Sequence, residues 1–335
     1  MAHRCRVSAH RSAHSVMRPQ HAKRPFSIRR LLAGGWLLLL AGAAVLAPSE
    51  TIIPDLAHVS QPPFGVGHWL GTDPQGLDIW QALLQGTRTL ALVSVPATLL
   101  TLLIGAGLGS AAGFLRNSGW QPTWRSLLTG LLVGLAALAQ GPRLTPASGG
   151  LLVVTVGSWL LLGRFGFSRR RVALPVDTLV LGLMSLLESV PLLILVLAAA
   201  AVQRPSLGGL VLLLSLSCWT TPARLMRAVT LQVSAQPYLE AARAAGIPAA
   251  RLLAAHIWPN TRHILLVRFP LTVALLIGLE TTLSFLGVGL PPEVSSWGQL
   301  LATIRLAPTA WWLVAWPGLA LVSTILSLHT LGRTK

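Results

Sequence analysis

The 335-residue chain is 53% hydrophobic and only 10% charged, with a formal net charge of +17 and a mean hydropathy of +0.66. Soluble domains carry about 25% charged residues, so this chain has too little charge to coat a water-facing surface, and a soluble globular protein is excluded. Its two cysteines, Cys5 and Cys218, give neither a disulfide framework nor a metal-ligand spacing.

In chain order, residues 1–30 form a basic tail holding eight Lys or Arg and no acid. Such a tail beside an apolar run reads first as a cytoplasmic orientation signal. Binding of nucleic acid or lipid headgroups is the lesser reading of its charge, and no nucleic-acid partner is assigned. The run 31–47 reads as an uncleaved anchor, because thirty residues is long for the basic region of a signal peptide. A transit peptide shares the tail's Arg- and Ser-rich composition. His3, His10, His14 and His21 are irregularly spaced, and no metal site is assigned.

Eight apolar runs follow the bilayer-spanning pattern: 31–47, 89–115, 127–139, 149–162, 177–202, 207–219, 264–286 and 311–328. The third, fourth and sixth are short, and the third and fourth also fit a re-entrant pair. Residues 48–88 form an outer loop, 89–335 the main membrane domain, and 220–263 a cytoplasmic loop. With the N-terminus inside, 22 of the 26 basic residues fall on the cytoplasmic side, as the positive-inside rule requires. The fold expected is an all-α polytopic membrane protein with both termini cytoplasmic.

One segment between the apolar runs is charged and helix-forming: Tyr238-Leu-Glu-Ala-Ala-Arg-Ala-Ala-Gly246-Ile-Pro, running on to His256-Ile-Trp-Pro259-Asn260. Its charges would cost several kcal/mol in lipid, so it lies in water. Pro237 suits a first helical turn and the alanines favour a slim helix. Gly246 permits a sharp turn and Pro248 opens a second helix. Leu252, Leu253, His256 and Ile257 then share one face. The product is a helical elbow with a small apolar knob and one acid, Glu240. It reads either as a protein-docking knob or as an amphipathic loop lying on the membrane.

The elbow resembles the EAA loop of ABC-importer permeases, where Glu-Ala-Ala, a following Gly and a Pro-ending tetrad dock an ATPase. Other motifs extend the likeness to the dipeptide/oligopeptide/nickel class, specifically the permease without a large outer domain. Gly71-Thr-Asp-Pro-Gln-Gly-Leu-Asp78 is similar to that class's Gly-Thr-Asp-x-x-Gly-Arg-Asp, and Gly86-Thr-Arg88 continues it. Leu283-Ser-Phe-Leu-Gly287, Pro291-Pro292, Ser296-Trp-Gly298 and Trp316-Pro-Gly318 follow in the class's order. Leu77 and Ala82 stand where arginines are usual, and Trp258 replaces a leucine. Residues 116–171 have no counterpart in a six-span core and read as an inserted two-helix hairpin. The resemblance implies a type I importer core of six transmembrane helices, eight spans with the hairpin. It also implies a bacterial inner-membrane location and no bond chemistry on this chain. Implied partners are membrane lipid, a second permease, two cytoplasmic ATPases and an extracytoplasmic solute-binding protein, with ATP and Mg on the ATPases and no cofactor here. Glu240, Ala241, Ala242, Gly246, His256, Pro259 and Asn260 would be the ATPase-coupling residues. The cargo would be peptide-like or another small solute. The competing reading is a membrane scaffold or enzyme that recruits a cytoplasmic partner through residues 238–260.

Three further patterns complete the reading. Gly105, Gly109 and Gly113 repeat every four residues on one helix face, the small-residue surface that lets membrane helices approach closely. Glu188 and Glu280 lie deep within spans without a basic residue at helical spacing, and read either as parts of a solute path or as structural partners. The chain holds no phosphate-cradling Gly-x4-Gly-Lys-Ser/Thr loop and no His-Glu-x-x-His or Gly-x-Ser-x-Gly sequence, motifs that would signal nucleotide, metalloprotease or hydrolase chemistry.

Overall fold

A computed structural model of the chain describes residues 28–47, 52–65, 67–117, 175–202, 206–291 and 293–333. The runs 127–139 and 149–162, and the basic tail up to residue 27, lie outside the described residues. Among the described residues all regular structure is helical, as a lipid environment demands of an open chain whose backbone groups must be satisfied internally.

Among the described residues, four helices are long and apolar enough to cross a bilayer: α1 (Ile28–Leu46), α2 (Ile79–Leu115), α10 (His263–Phe285) and α12 (Trp312–Gly332). Between them come two bent pairs. The first joins α3 (Val176–Glu188) to α4 (Leu192–Val202) at 81°, and the second joins α5 (Leu207–Cys218) to α6 (Thr220–Ser234) at 44°. Counting each bent pair as one span gives six among the described residues. Pro191 explains the first break: it offers no N–H and excludes an ordinary helical turn across residues 189–191.

α2 is the spine. Its 37 residues rise about 55 Å at 1.5 Å each, well beyond the about 30 Å of hydrocarbon. It packs on α1, α3, α5, α6, α10 and the short α11 (Trp297–Ala302). Val93 and Ala97 of α2 enter a core with Val196 of α4, Leu210 and Leu214 of α5, and Leu276 and Leu283 of α10. Leu90 joins Val273, Ile277, Trp297 and Leu321 in a second core between α10 and α12. Outward-facing Leu38, Leu103, Leu186, Leu266 and Leu319 stay exposed, as expected where the solvent is lipid rather than water.

Two boundaries differ from those in the sequence. α2 begins at Ile79 rather than 89, because Asp78 caps it: its carboxylate accepts from the N–H groups of Trp80 (2.8 Å) and Gln81 (3.2 Å). This is the helix-start chemistry of a short acceptor side chain, and it moves the last ten residues of the expected 48–88 outer loop into the helix. Residues 220–234, expected to be part of a water-exposed loop, are the helix α6 laid along α2 with Thr220, Ala223, Met226 and Thr230 buried. The hydrophilic surface there is narrower than its charges suggest.

The described ends flanking residues 118–174 lie side by side. The N–H of Asp177 donates to the carbonyl of Arg116 (3.2 Å), and the N–H of Thr178 to Oδ1 of Asn117 (3.2 Å). The polypeptide therefore leaves and re-enters the core at one point, a geometry that tolerates an insertion.

Candidate functional site

The elbow is built as its composition dictates. α7 (Pro237–Ala244) starts on Pro237 and ends in a Gly246 turn with φ +79°. The N–H of Ile247 donates to the carbonyl of Ala242 (3.2 Å) and that of Gly246 to Arg243 (3.0 Å), the paired bonds of a glycine-terminated helix. α8 (Ala249–Leu252) follows, then a π-helical turn, Leu253–Ile257, and α9 (Trp258–Thr261). Pro259 explains the wide turn: it has no N–H to give to the carbonyl four residues earlier, and its ring would strike that carbonyl in an ordinary helix.

The apolar knob is not presented to a partner. Leu239, Leu252 and Ile257 form a small core with Phe114 of α2 and Val233 of α6. Leu253 and Ala242 flank this core and His256 is half-buried, so the shared face fastens the elbow to the spine. The surface left exposed includes Tyr238, Glu240, Ala241, Gly246, Trp258, Pro259 and Asn260, together with Arg243 and Arg251. Asn260 crosslinks the two limbs, donating from Nδ2 to the His256 carbonyl (2.7 Å) and the Tyr238 hydroxyl (3.3 Å). The Arg243 guanidinium lies 5.6 Å from the centre of the Phe114 ring, a second tie to α2.

Directly behind the elbow, Gly105, Gly109 and Gly113 face α6. A Cβ on Gly105 would sit 2.8 Å from Cγ of Pro222, and one on Gly113 2.7 Å from the carbonyl oxygen of Arg227. One on Gly109 would overlap the carbonyl of Ala223 more deeply still. Gly107, on the opposite face, meets nothing within 4 Å.

The two intramembrane acids have different surroundings. Glu188 lies at the α3–α4 break, half exposed, and accepts from the Arg224 guanidinium of α6. It lines a cavity of about 250 Å³ with Pro191, Ser217, Thr220 and Thr221. The breaks of both bent spans thus open onto one chamber, whose wall is completed by Leu187, Val190, Leu192, Cys218 and Leu275. A second ion pair joins the same helices: Arg227 donates to Asp177 from Nε (2.5 Å) and from an Nη (2.7 Å). Removing the guanidinium with Arg227→Ala strips two charge-assisted bonds, each about 1.5–3 kcal/mol when made to an ionised group. That variant should melt several degrees below wild type in detergent, measured by thermal shift. Glu280, by contrast, is 1% exposed and accepts from the hydroxyls of Ser284 (2.9 Å) and Thr281 (3.3 Å) on α10 itself.

The remaining motifs converge on the opposite side. The turn through Gly71 and Gly76 (φ +88° and +80°) is closed by Asp73, which accepts from the N–H groups of Gln75 and Leu77, both at 2.8 Å. Trp312 donates its indole N–H to the Thr72 carbonyl (3.2 Å), and Trp297 donates to Leu83 (3.0 Å) while lying against Gly86. Gly298 lies close against the carbonyl of Thr281 and the side chain of Ser284. Segments 71–78, 283–287 and 296–298 therefore line one cleft of about 340 Å³, with Leu77, Ala82 and Arg305 in its wall, and Gly86 packs against Trp297 beside it.

Burial raises the Asp73 carboxyl above its usual value of 3.8, outweighing its backbone donors. A raised folded-state value means that the fold favours the protonated form. The stabilisation is full below the unfolded value and fades as pH rises through the folded one. Asp73→Asn, which keeps an acceptor but no charge, should therefore match or exceed wild-type thermal stability at pH 7. The difference should close below pH 3.8. A lower melting temperature at pH 7 would contradict the burial argument.

Three features escaped the motifs: the Arg224 partner of Glu188, the Asp177–Arg227 pair, and a His/Asp cluster in the loop before α2. Their members are 36, 50 and 3 to 13 residues apart respectively, and only the 55–58 spacing is visible as a local pattern.

Residues 154–333 match the family described as binding-protein-dependent transport system inner membrane component. The match begins inside the segment 116–171 and takes in everything from α3 to α12. The chain is similar to a Brucella suis protein named as a peptide transport system permease, 29% identical over 88% of this chain and 82% of that one. It is also similar to the dipeptide transport system permease protein DppC of Bacillus subtilis, 26% identical over 96% of this chain and 87% of the relative. The oligopeptide transport system permease protein OppC of the same species is 26% identical over 79% and 69% respectively.

Proposed function

The chain belongs to the binding-protein-dependent transport system inner membrane components and is a permease subunit of an ABC transporter, and on that premise we propose that it forms half of an uptake path for peptides. Peptide cargo rests on the printed names of its relatives. Its partners are a second permease, two cytoplasmic ATPases that carry the ATP and Mg, and an extracytoplasmic binding protein that delivers the solute. This chain carries no bond chemistry. Both termini and the elbow face the cytoplasm, where the excess of basic residues lies.

The observation that carries the reading is the division of the elbow into two faces. Leu239, Leu252 and Ile257 hold it to α2 and α6, while Glu240, Ala241, Gly246, Pro259 and Asn260 stay exposed. A rigid knob of small side chains suits a groove on an ATPase, and Glu240 offers an acid to a partner's arginine. Closure of the ATPases would move the elbow, and Phe114 and Val233 would pass that movement to α2 and α6. The glycine contact makes those two helices move as one body. α6 borders the chamber through Thr220 and Thr221 and holds Glu188 through Arg224, so the elbow and the solute path share that helix. Two packings of the pair then give inward-open and outward-open paths whose balance ATP shifts.

Co-purification tests this assignment. An ATPase bearing Walker motifs should accompany the wild-type chain from detergent extracts and be lost from Gly246→Asp and Glu240→Lys. Retention by both variants would remove the elbow from coupling. Within the path, Glu188→Gln should weaken uptake at least tenfold while Glu280→Gln leaves it within about twofold, because only Glu188 opens onto the chamber. The reverse order in a solute-uptake assay would exchange their roles.

A further inference from the structure

We propose that Asp55, His58 and His68 bind a divalent transition metal such as Zn²⁺, with Asp78 orienting His68. Oδ2 of Asp55 lies 2.8 Å from Nδ1 of His58 and 3.5 Å from Nε2 of His68, and the three ligand atoms all fall within 4.8 Å of one another. Zinc–nitrogen and zinc–oxygen bonds of about 2.0–2.2 Å place tetrahedral ligands about 3.3 Å apart, so the cluster needs only small side-chain rotations to close. Two imidazoles and a carboxylate suit zinc and its neighbours rather than calcium or magnesium, and the fourth position is open to water.

Support behind the ligands separates this cluster from a chance meeting of surface side chains. Nδ1 of His68 is 2.7 Å from Oδ2 of Asp78, which draws the ring proton to Nδ1 and leaves the Nε2 lone pair facing the cluster. Such a carboxylate behind a ligating histidine is the common way of fixing its tautomer and orientation. Asp55 is held in turn: Oδ1 accepts from the Ala57 N–H (3.0 Å) and its own N–H donates to the Gly76 carbonyl (2.8 Å). A Cβ on Gly76 would stand 2.5 Å from the Asp55 carbonyl oxygen, so the loop closes tightly beneath the ligands. The carbonyl of His58 is bound by the Thr72 hydroxyl. Two carboxylates and two neutral imidazoles balance a doubly charged cation. Because Asp78 also caps α2, the metal would clasp residues 55–58 and 68 onto the start of the spine helix. The site is structural and independent of the cargo.

The test uses the full chain in detergent with His3, His10, His14 and His21 changed to alanine, since those tail imidazoles would compete for metal. Calorimetric titration with Zn²⁺ alone should give one strong site per chain, and His58→Ala should weaken it at least tenfold. His58 is 44% exposed, so that change leaves the fold intact. Asp78→Asn should weaken it about tenfold, the usual effect of losing such a support. Zinc should also slow amide exchange across residues 55–78. Absence of a one-to-one site, or an affinity unchanged in His58→Ala, would overturn the proposal.

Discussion

Gly109→Val should prevent the chain from reaching a stable folded state in membranes, while Gly107→Ala two residues away should be nearly silent. Gly109 presses on the carbonyl of Ala223 in α6, and its neighbours in the stripe touch Pro222, Arg227 and Thr230. These obstacles are mostly backbone, which cannot rotate aside as a side chain does. Overpacking a core that can relax costs about 1–3 kcal/mol, and here the relaxation available is separation of two helices along their length. Gly109→Val therefore falls at or above the top of that range. Separation would also break the ties holding the elbow, since Phe114 and Val233 lie at the same ends of these helices. Gly107 has open space, and alanine prefers a helix over glycine by about 1 kcal/mol, so Gly107→Ala should hold or slightly raise stability. Membrane yield and melting temperature in detergent read both. Equal behaviour of the two variants would mean that α2 and α6 are not in close contact.

How much of this was legible in the chain depends on the distance over which each pattern acts. The glycine face was legible because a four-residue repeat is a property of one helix, and only the partner helix was missing. The elbow's turns were legible for the same reason: Pro237, Gly246 and Pro248 act on their own backbone. What covers the face of Leu252, Leu253, His256 and Ile257 was not legible, because periodicity identifies a face and not its neighbour. The face proved to be the elbow's attachment, and the proposed docking surface is the exposed remainder. Glu188 lacked a cation within its own helix because its partner, Arg224, arrives on another helix after two breaks. The hub at the start of α2 was written as four separate motifs, and only the fold brings Gly86 against Trp297 and Thr72 under Trp312. The start of α2 could be read from Asp78 as a cap, but apolar content alone places it ten residues late.

Glu240→Lys should abolish solute uptake without lowering the stability of the isolated chain, and Leu239→Ala should do the opposite first. The two residues are adjacent on α7 but face different ways. Glu240 is exposed and forms no ion pair among the described residues. Reversing its charge disturbs only the first-turn helix electrostatics, worth about 0.3–1 kcal/mol. A docking groove with an arginine opposite Glu240 would instead meet a second cation, and like charges across an interface cost several kcal/mol. At 1.4 kcal/mol per decade, that reduces the population of the coupled complex about a hundredfold or more. Leu239 is fully buried between α6, α8 and the end of α2, and truncating such a leucine costs about 2–5 kcal/mol. Its loss should lower the melting temperature of the purified chain and loosen the elbow, with weaker uptake as a consequence. The decisive comparison is uptake against melting temperature in the same preparations. An unchanged melting point with uptake lost in Glu240→Lys assigns the exposed face to coupling; uptake kept in that variant would leave the elbow as a structural brace and put the motor's grip elsewhere.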